Sequence, residues 1–407
     1  MSLNRSIMDT VPDSRTRTVA VVFAGFCAFL TLYAPQPLLP LLSTAFHVSA
    51  AAVVSVITAS TVAVALAAPF AGMVSDRLGR KHVIVPSAFL LAVPTLLSGF
   101  SGSIGMLVFW RFWQGIFTPG IFAVVVAYIN DEWQEGAGSA MAAYVTGTVL
   151  GGFSGRMLAA LLAAHGSWRL PFFALTALEL LGALAMWAWL PADRHTGYRR
   201  PRASGLGAMA GHLRNPQLLA TYAVGLCTLF TLVGSFTYVK FYLAEPPFRL
   251  GTAALGLVFS VYLVGAAITP FAGRIIDRAG HRTALATGYA GAIAGIVLTL
   301  VPRTHMVMAG LALCCTGVFI AQSSASSYIG TVTREGRAAA VGLYVMFYYL
   351  GGSLGAAVPA MVWARGGWTA CVALIAGVQM LTVALAVSFW RSPAYSHALS
   401  SLRTSIN

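Results

Sequence analysis

The chain has 407 residues, of which 58% are hydrophobic and only 9% carry a charge. So few charged side chains cannot cover the surface of a water-soluble protein of this length, which excludes that class. The apolar runs are instead expected to cross a membrane, where roughly 20 residues of helix match a hydrocarbon core about 30 Å thick.

Twelve apolar runs follow one another along the chain, and we predict that each forms a membrane-spanning helix. They cover Thr18–Leu42, Ala50–Gly72, Val83–Phe100, Ile104–Tyr128, Ala137–Ala163, Leu170–Leu190, Gln217–Leu243, Thr252–Gly273, Thr283–Val301, Met306–Ile329, Ala338–Val362 and Trp368–Trp390. An Arg-, Gly- and Pro-rich stretch separates the sixth run from the seventh and is expected to be a linker. The prediction is an all-α membrane protein with a tail at 1–17, a six-helix domain at 18–190, a linker at 191–216, a second six-helix domain at 217–390 and a tail at 391–407.

The formal net charge of +14 would suit a nucleic-acid-binding protein, so the positions of the basic residues decide its meaning. If the N-terminus is cytoplasmic, 18 of the 25 Lys and Arg fall in predicted cytoplasmic segments. This asymmetry follows the positive-inside rule and predicts that both termini are cytoplasmic. Five basic residues lie near the outer face: Arg169, Lys240, Arg249, Arg303 and Arg365. The lipid bilayer, and no nucleic acid, is therefore the expected partner of these charges.

An internal repeat divides the chain into two similar parts. The segment Pro-Phe-Ala-Gly at 69–72 recurs at 270–273, and the pattern G-x-x-x-D-R-x-G begins at the last glycine of each copy. A shift of 200 residues also places Gly151-Gly152 on Gly351-Gly352. Two membrane units repeated in parallel are typical of transporters whose halves rock about a central site.

These motifs also suggest a family. The segment 72–81, GxxxDRxGRK, resembles the signature of the major facilitator superfamily, and Arg111-Phe-Trp-Gln114-Gly115 resembles the RxxQG motif of its fourth helix. Residues 151–156, followed by Trp168-Arg169, are similar to the YnfM-type, arabinose-efflux-like branch of that family. The resemblance implies two six-helix bundles that expose a central site to each side of the membrane in turn.

The resemblance further implies a cytoplasmic latch and one departure from the family pattern. In relatives the aspartate of the GxxxDRxG loop rests near the start of helix eleven when the inner gate is closed, and Asp76 takes that place here. The fifth helix of antiporters usually carries GxxxGPxxGG, whereas this chain has Gly152 at the proline position and Arg156 at the last glycine position. The expected gate residues are Gly72, Asp76, Arg77, Gly79, Arg80, Asp277 and Arg278, with Asp131, Glu132 and Glu135 as expected partners of Arg77 and Arg80.

Arg111, Arg156 and Glu179 lie deep within the predicted spans, where an unpaired charge is costly and indicates function. Arg111, Arg156 and Glu179 fall roughly 10, 10 and 14 Å from the outer ends of their helices, so all three could meet. In the second copy of the repeat, Arg156 corresponds to Ala356 and Glu179 to Gln379. An Arg–Glu clamp would be structural, whereas a surplus positive charge favours an anionic substrate group, a water cavity or coupling to a proton on Glu179.

Aromatic and amide side chains on the helices around the centre are expected to line the transport cavity. Phe26, Phe29, Tyr33 and Gln36 recur every three or four residues and therefore share one face of the first helix. The complete set of predicted cavity residues adds Gln114, Tyr144, Tyr238, Gln322, Tyr344 and Tyr348.

Secondary transport is the function that these patterns favour. A membrane enzyme would need a catalytic constellation, and a scaffold or receptor would need a soluble domain or a long tail for its partner, neither of which stands out. The five cysteines lie in apolar runs without metal spacing, so no metal or cofactor is expected. We expect a monomer in a bacterial inner membrane that moves a small organic molecule, with proton-coupled efflux first and import or facilitated diffusion of an anionic metabolite second.

Overall fold

The computed structural model describes residues 14–133, 137–191, 205–333 and 337–390, which form helices joined by short turns. The helices are α1 (Ser14–Leu30), α2 (Leu39–Ala45), α3 (Ala50–Val53), α4 (Ser55–Leu78), α5 (Lys81–Gly99), α6 (Ile104–Glu132), α7 (Ala137–His165), α8 (Leu170–Trp189), α9 (Gly205–Leu213), α10 (Pro216–Ala244), α11 (Thr252–Leu257), α12 (Val261–Leu298), α13 (Thr304–Val332) and α14 (Arg337–Phe389). The described residues do not include Glu135 or residues 192–204 of the predicted linker. They also do not include residues 1–13 of the predicted N-terminal tail or the predicted C-terminal tail, 391–407.

The predicted all-α membrane character is confirmed. Within the described residues, eight helical segments are long and apolar enough to cross a membrane, and two shorter apolar helices, Thr16–Leu30 and Thr252–Gly265, accompany them. The two longest helices each contain a break, at Gly280 (φ 78°) in α12 and at Gly366–Gly367 (Gly367 φ 55°) in α14. Glycine reaches such positive φ angles without a Cβ penalty, and both breaks fall where the sequence predicts a loop between two spans. The number of membrane crossings and the side on which the termini lie stay predictions.

Some element ends differ from those predicted. α6 continues beyond Tyr128 to Glu132, so Asp131 and Glu132 occupy its last turn and not a loop. α4 likewise runs to Leu78, which places Asp76 in its last turn. A helix that leaves the hydrocarbon keeps its internal hydrogen bonds and presents charged residues to the polar interface, so the end of an apolar run need not end the helix.

Glycine allows the helices to approach closely at the same positions in both repeats. A Cβ at Gly151 or Gly155 of α7 would collide with the carbonyl groups of Phe26 or Leu30 of α1. The corresponding Gly351 and Gly355 of α14 have the same relation to Leu226 and Phe230 of α10. Small residues at such contacts let membrane helices pack backbone to backbone. The two copies of the sequence repeat therefore pack their helices in the same way.

The two parts of the chain meet along several helices. We call residues 14–191 the first half and residues 205–390 the second half. α4 packs on α14, and α7 packs on α11. The hydroxyl of Ser353 donates a hydrogen bond to Thr61 Oγ1 across this boundary at 2.9 Å. A boundary built from few side-chain hydrogen bonds can open and close at modest cost.

Candidate functional site

The first polar site surrounds a break in the first membrane segment. α1 ends at Leu30, and residues 31–35 form a turn before the chain becomes helical again at Gln36. Pro35 has no N–H to donate to the carbonyl of Thr31, and the N–H of Gln36 bonds to Tyr33 O instead of Leu32 O. The carbonyl of Leu32 is therefore left without a backbone donor, and that of Thr31 keeps only a hydrogen bond of 3.3 Å from the N–H of Ala34.

Arg111 of α6 occupies this break and is completely buried. Its Nη1 donates to Thr31 O at 3.0 Å and to Gln114 Oε1, and its Nη2 donates to Leu32 O. The two remaining bonds run from Nη2 to Ser60 Oγ at 3.0 Å and from Nε to Val56 O at 3.2 Å. A guanidinium has five N–H donors, and all five are used here. Arg111 therefore serves as a clamp on the broken backbone and has no donor left for a substrate.

Glu179 of α8 lies on the other side of the same break and is 1% exposed. Its Oε1 accepts a hydrogen bond of 2.7 Å from the hydroxyl of Thr31, the residue whose carbonyl binds Arg111. Its Oε2 has no hydrogen-bond partner among the described residues. A buried carboxyl oxygen without a partner costs free energy, especially in the charged form.

The structure does not bring Arg111, Arg156 and Glu179 together at one point. Thr31 links Arg111 to Glu179, but within the described part of the chain neither arginine forms an ion pair with this carboxylate. Arg156 bonds to other groups altogether. Equal depth in the membrane does not bring side chains together when their helices face different neighbours. The charges form two separate sites.

The second site is centred on Arg156 of α7, which is 5% exposed. Its Nε donates to Gln36 Oε1 at 2.9 Å, and its Nη1 donates to Gly152 O at 2.7 Å. Its Nη2 makes no hydrogen bond with the described residues. The guanidinium carbon also lies 4.7 to 5.0 Å from the centroids of three aromatic rings, those of Tyr33, Phe259 and Tyr262. This is a cation held by aromatic faces with donor capacity left over.

The Arg156 site lies on the boundary between the halves. Phe259 and Tyr262 belong to the second half, and Gln36 donates a hydrogen bond of 3.2 Å to Thr237 Oγ1 of α10. Beside them, Gly256 of α11 lies so close to α7 that a Cβ would meet Ala160. Relative motion of the halves must change this site.

Sequence reasoning missed a second buried cation at this boundary. Lys240 of α10 was assigned to the outer face, yet it is completely buried. Its Nζ donates to Leu255 O at 2.8 Å and lies 3.8 Å from the centroid of the Phe259 ring. The available signal was its place three residues inside the predicted end of an apolar run, where a lysine without a partner is expensive.

The other predicted cavity residues are distributed unevenly. The hydroxyls of Tyr33 and Tyr344 are buried without a partner among the described residues, and a Cβ at Gly352 of α14 would lie 3.5 Å from Tyr33 Oη. Tyr144 is engaged, since its hydroxyl donates to Phe122 O at 3.2 Å. Gln322 is half-buried on α13 and makes no hydrogen bond within the described ranges. Gln114 belongs to the Arg111 site, where its Nε2 donates to Thr95 Oγ1 at 2.7 Å.

The predicted gate residues lie at the ends of α4 and α5. Arg80 pairs with Asp76 at 2.7 Å and with Asp131 at 3.1 Å, and its Nη1 also donates to Ser75 Oγ. Asp131 is thus a partner of Arg80, as the sequence predicts, whereas Glu132 lies next to Arg17. The Asp76 side chain is 61% exposed, and its predicted contact with the start of helix eleven stays a prediction.

The second copy of this loop is built differently. Gly79 and Gly280 both have positive φ, of 92° and 78°, which explains why the glycine is repeated. His281 stands where the first copy has Arg80, and with Asp277 it lines an open pocket of about 360 Å³. Burial lowers the pKa of His281, and the charge of Asp277 opposes that shift. In the first copy, Gly72 O accepts a hydrogen bond of 2.8 Å from the Ser75 hydroxyl, to which Arg80 also donates. The exposed side chains of Arg77 and Arg278 form no hydrogen bond or ion pair with the residues that the structure describes.

Comparison with known proteins agrees with this architecture. The chain matches the model of the Major Facilitator Superfamily over residues 21–329 and 247–405. It is 31% identical to the uncharacterized MFS-type transporter YybF of Bacillus subtilis, with 94% of this chain and 93% of that protein covered. It is also 31% identical to the inner membrane transport protein YnfM of Escherichia coli, with 94% and 92% covered.

Solved structures share the fold at low sequence identity. The human organic anion transporter MFSD10 superposes with a TM-score of 0.72 at 19% identity, covering 92% of this chain and all of that one. The nucleoside transporter NupG gives a TM-score of 0.74 at 15% identity, with 92% of this chain covered. The family match, the two relatives and the helical architecture lead to one conclusion: this chain is a membrane transporter of the Major Facilitator Superfamily, and not an enzyme.

Proposed function

We propose that this transporter moves an organic anion that binds to Arg156 between the two halves. The proposal rests on the environment of the Arg156 guanidinium. This group is buried at the boundary, and within the described residues one of its nitrogens has no hydrogen-bond partner and it forms no ion pair with a carboxylate. A buried cation of this kind is costly unless an anion or a dipole compensates it. A substrate carboxylate would supply that compensation.

The surroundings of Arg156 indicate the rest of the substrate. The rings of Tyr33, Phe259 and Tyr262 surround the guanidinium, and the Tyr33 hydroxyl is free of partners within the described chain. Aromatic walls with a few polar groups favour a ligand that has an apolar or planar body and a single charged end. An aromatic carboxylate fits this description better than a sugar, which would need many hydrogen-bonding partners.

The transport cycle follows from the position of the site. We propose twelve spanning helices in two six-helix domains, 18–190 and 217–390, joined by the linker 191–216, with both termini in the cytoplasm of a bacterial cell and the protein acting as a monomer. The contacts of Gln36 with Thr237 and of Ala160 with Gly256 would close the outer end. Rocking of the halves would break these contacts and open the Arg156 site to the other side of the membrane.

Binding can be tested with benzoate and its neutral counterpart benzamide. We expect benzoate to raise the thermal unfolding temperature of the purified full chain, and benzamide to have little effect, because only benzoate carries the charge that Arg156 recognises. Arg156→Gln is expected to abolish the benzoate effect. Arg169→Gln is the matched control, since Arg169 lies over Trp168 away from the boundary. Equal benzoate stabilisation of the wild type and Arg156→Gln would refute the proposal.

Proton-coupled efflux is a second candidate mode, and the unpartnered Oε2 of Glu179 favours it. A carboxyl group in this position could bind and release a proton and pass the change through Thr31 to the break after α1. In proteoliposomes, an imposed pH gradient should then drive transport of benzenesulfonate, an aromatic anion that does not cross the bilayer as a neutral acid, in the wild type but not in Glu179→Gln. A Glu179→Gln variant that still responds fully to the gradient would exclude this role.

A further inference from the structure

Two cations share one aromatic ring at the boundary between the halves. The guanidinium carbon of Arg156 lies 4.7 Å from the centroid of Phe259, and the Nζ of Lys240 lies 3.8 Å from the same centroid. Neither cation forms an ion pair with a carboxylate in the part of the chain that the structure describes. One phenyl ring attracts both charges but neutralises neither.

The two cations come from different halves. Arg156 belongs to α7 of the first half and is held there by the carbonyl of Gly152. Lys240 belongs to α10 of the second half and donates to Leu255 O, near the end of α11. Their mutual repulsion therefore acts across the boundary, and it opposes the packing of α11 on α7 that closes this end.

We propose that Lys240 is a positioning residue that makes closure of the predicted outer end depend on a bound anion. The inference rests on the proposed function, since the anion is the one held by Arg156. Without an anion, the repulsion between the cations favours separation of the halves. A carboxylate at the free Nη2 of Arg156 attracts both cations and removes that repulsion. Closure then follows binding of an anion, and an empty transporter closes less readily.

This role requires a positive charge on residue 240 beside the Phe259 ring, so two variants of Lys240 can be compared, one without the charge and one with it. Lys240→Met keeps the length and apolar stem of the side chain but removes the charge. Lys240→Arg keeps the charge and can still donate to Leu255 O. Spin labels on Ala164 of the first half and Glu245 of the second half, both exposed, report the distance across this end without touching the site.

The first measurement uses the full chain in lipid nanodiscs with no organic anion added. Double electron–electron resonance should show that Lys240→Met increases the ratio of closed to open molecules by roughly tenfold, because it removes one of the two like charges that lie within 5 Å of the Phe259 centroid. Lys240→Arg should match the wild type. Equal ratios in the wild type and Lys240→Met would overturn the inference. Lys240→Gln replaces Lys240→Met if the latter does not elute as a folded monodisperse protein.

The second measurement adds benzoate, with benzamide as the neutral comparison. Benzoate should close the outer end of the wild type and of Lys240→Arg, and should change Lys240→Met by less than about twofold because that variant is closed already. Benzoate closing all three variants to the same extent, or none of them, would overturn the inference. If benzoate raises the unfolding temperature only when Arg156 is present, the proposed function stands even when these distance measurements overturn the role of Lys240. The two proposals can therefore be refuted independently.

Discussion

The first membrane segment and its repeat, α10, differ in one respect that explains the distribution of charges. The first segment is broken after Leu30, whereas α10 is helical from Pro216 to Ala244 without interruption. A shift of 200 residues places Pro35 on Ser235 and Arg111 on Leu311. Where a proline frees the backbone carbonyls, an arginine binds them, and where the helix continues, no arginine is needed. Arg111 is best understood as a consequence of the break.

The same comparison separates structural from functional charges. Glu179 bonds to Thr31, while its counterpart Gln379 leaves its Oε1 unpartnered beside Cys314, within the described residues. The second half therefore folds with a neutral amide in this position. Arg156 has Ala356 as its counterpart, and no backbone defect accounts for it. Arg111 is explained by the break after α1. Arg156 and Glu179 are not needed to stabilise that break, and a role in transport explains them better.

The largest expected effect comes from replacing Arg111 with leucine, the residue at the corresponding position of the second half. Arg111→Leu should destabilise the protein by about 3–5 kcal/mol, because it leaves the carbonyl of Leu32 buried without a donor and takes from Thr31 O the stronger of its two hydrogen bonds, leaving only the 3.3 Å bond from Ala34 N–H. Chemical unfolding in detergent micelles measures this loss. The matched change Leu311→Met in the second half should cost less than about 1.5 kcal/mol. Similar losses in the two variants would show that Arg111 does not clamp the break.

The next effect concerns the shared packing. Gly155→Ala and Gly355→Ala should each cost about 1–3 kcal/mol, since each Cβ would collide with a backbone carbonyl of the facing helix. Gly342→Ala is the control, because a Cβ there would meet nothing within 4 Å. Unfolding temperatures of the three variants measure the difference. A Gly342→Ala variant as unstable as the others would contradict the claim that Gly155 and Gly355 stabilise the protein through close helix contacts.

The smallest effect is expected in the cytoplasmic loops. Arg80→His copies His281 of the second half and should cost no more than about 1 kcal/mol, because the ion pairs of Arg80 with Asp76 and Asp131 are partly exposed. Its main effect should be on gating, with a wider distribution of distances between labels at Arg77 and Gly342. An unchanged distribution would show that these ion pairs do not belong to the latch.

Much of the architecture could be read from the sequence, and the reasons are physical. Apolar runs must form helices in a bilayer, and the repeated glycines at 151 and 351 mark contacts that admit no side chain. Pro35, Pro37 and Pro40 are a sequence signal of a broken segment, although the apolar run Thr18–Leu42 continues through them and by itself predicts one span.

The pairing of charges could not be read in this way. Depth along a helix was predicted for Arg111, Arg156 and Glu179, but the direction in which each side chain points depends on helix rotation, which periodicity does not fix. The same limit hid Lys240, whose position near the end of an apolar run fits both an interfacial lysine and a buried one. A site between the two halves depends on how the halves are placed relative to each other in the tertiary structure, and helix periodicity in the sequence does not determine that placement.

The central claim is that Arg156 binds the transported anion, and counterflow of labelled benzenesulfonate, which does not cross the bilayer as a neutral acid, tests it most directly in proteoliposomes. Benzenesulfonate inside the vesicles should accelerate entry of labelled benzenesulfonate for the wild type and for Arg169→Gln. Arg156→Gln should reduce this exchange by at least about a hundredfold, as expected when a buried charge pair with the substrate is lost, and Arg156→Lys should restore part of it. Exchange through Arg156→Gln at the wild-type rate would contradict the claim.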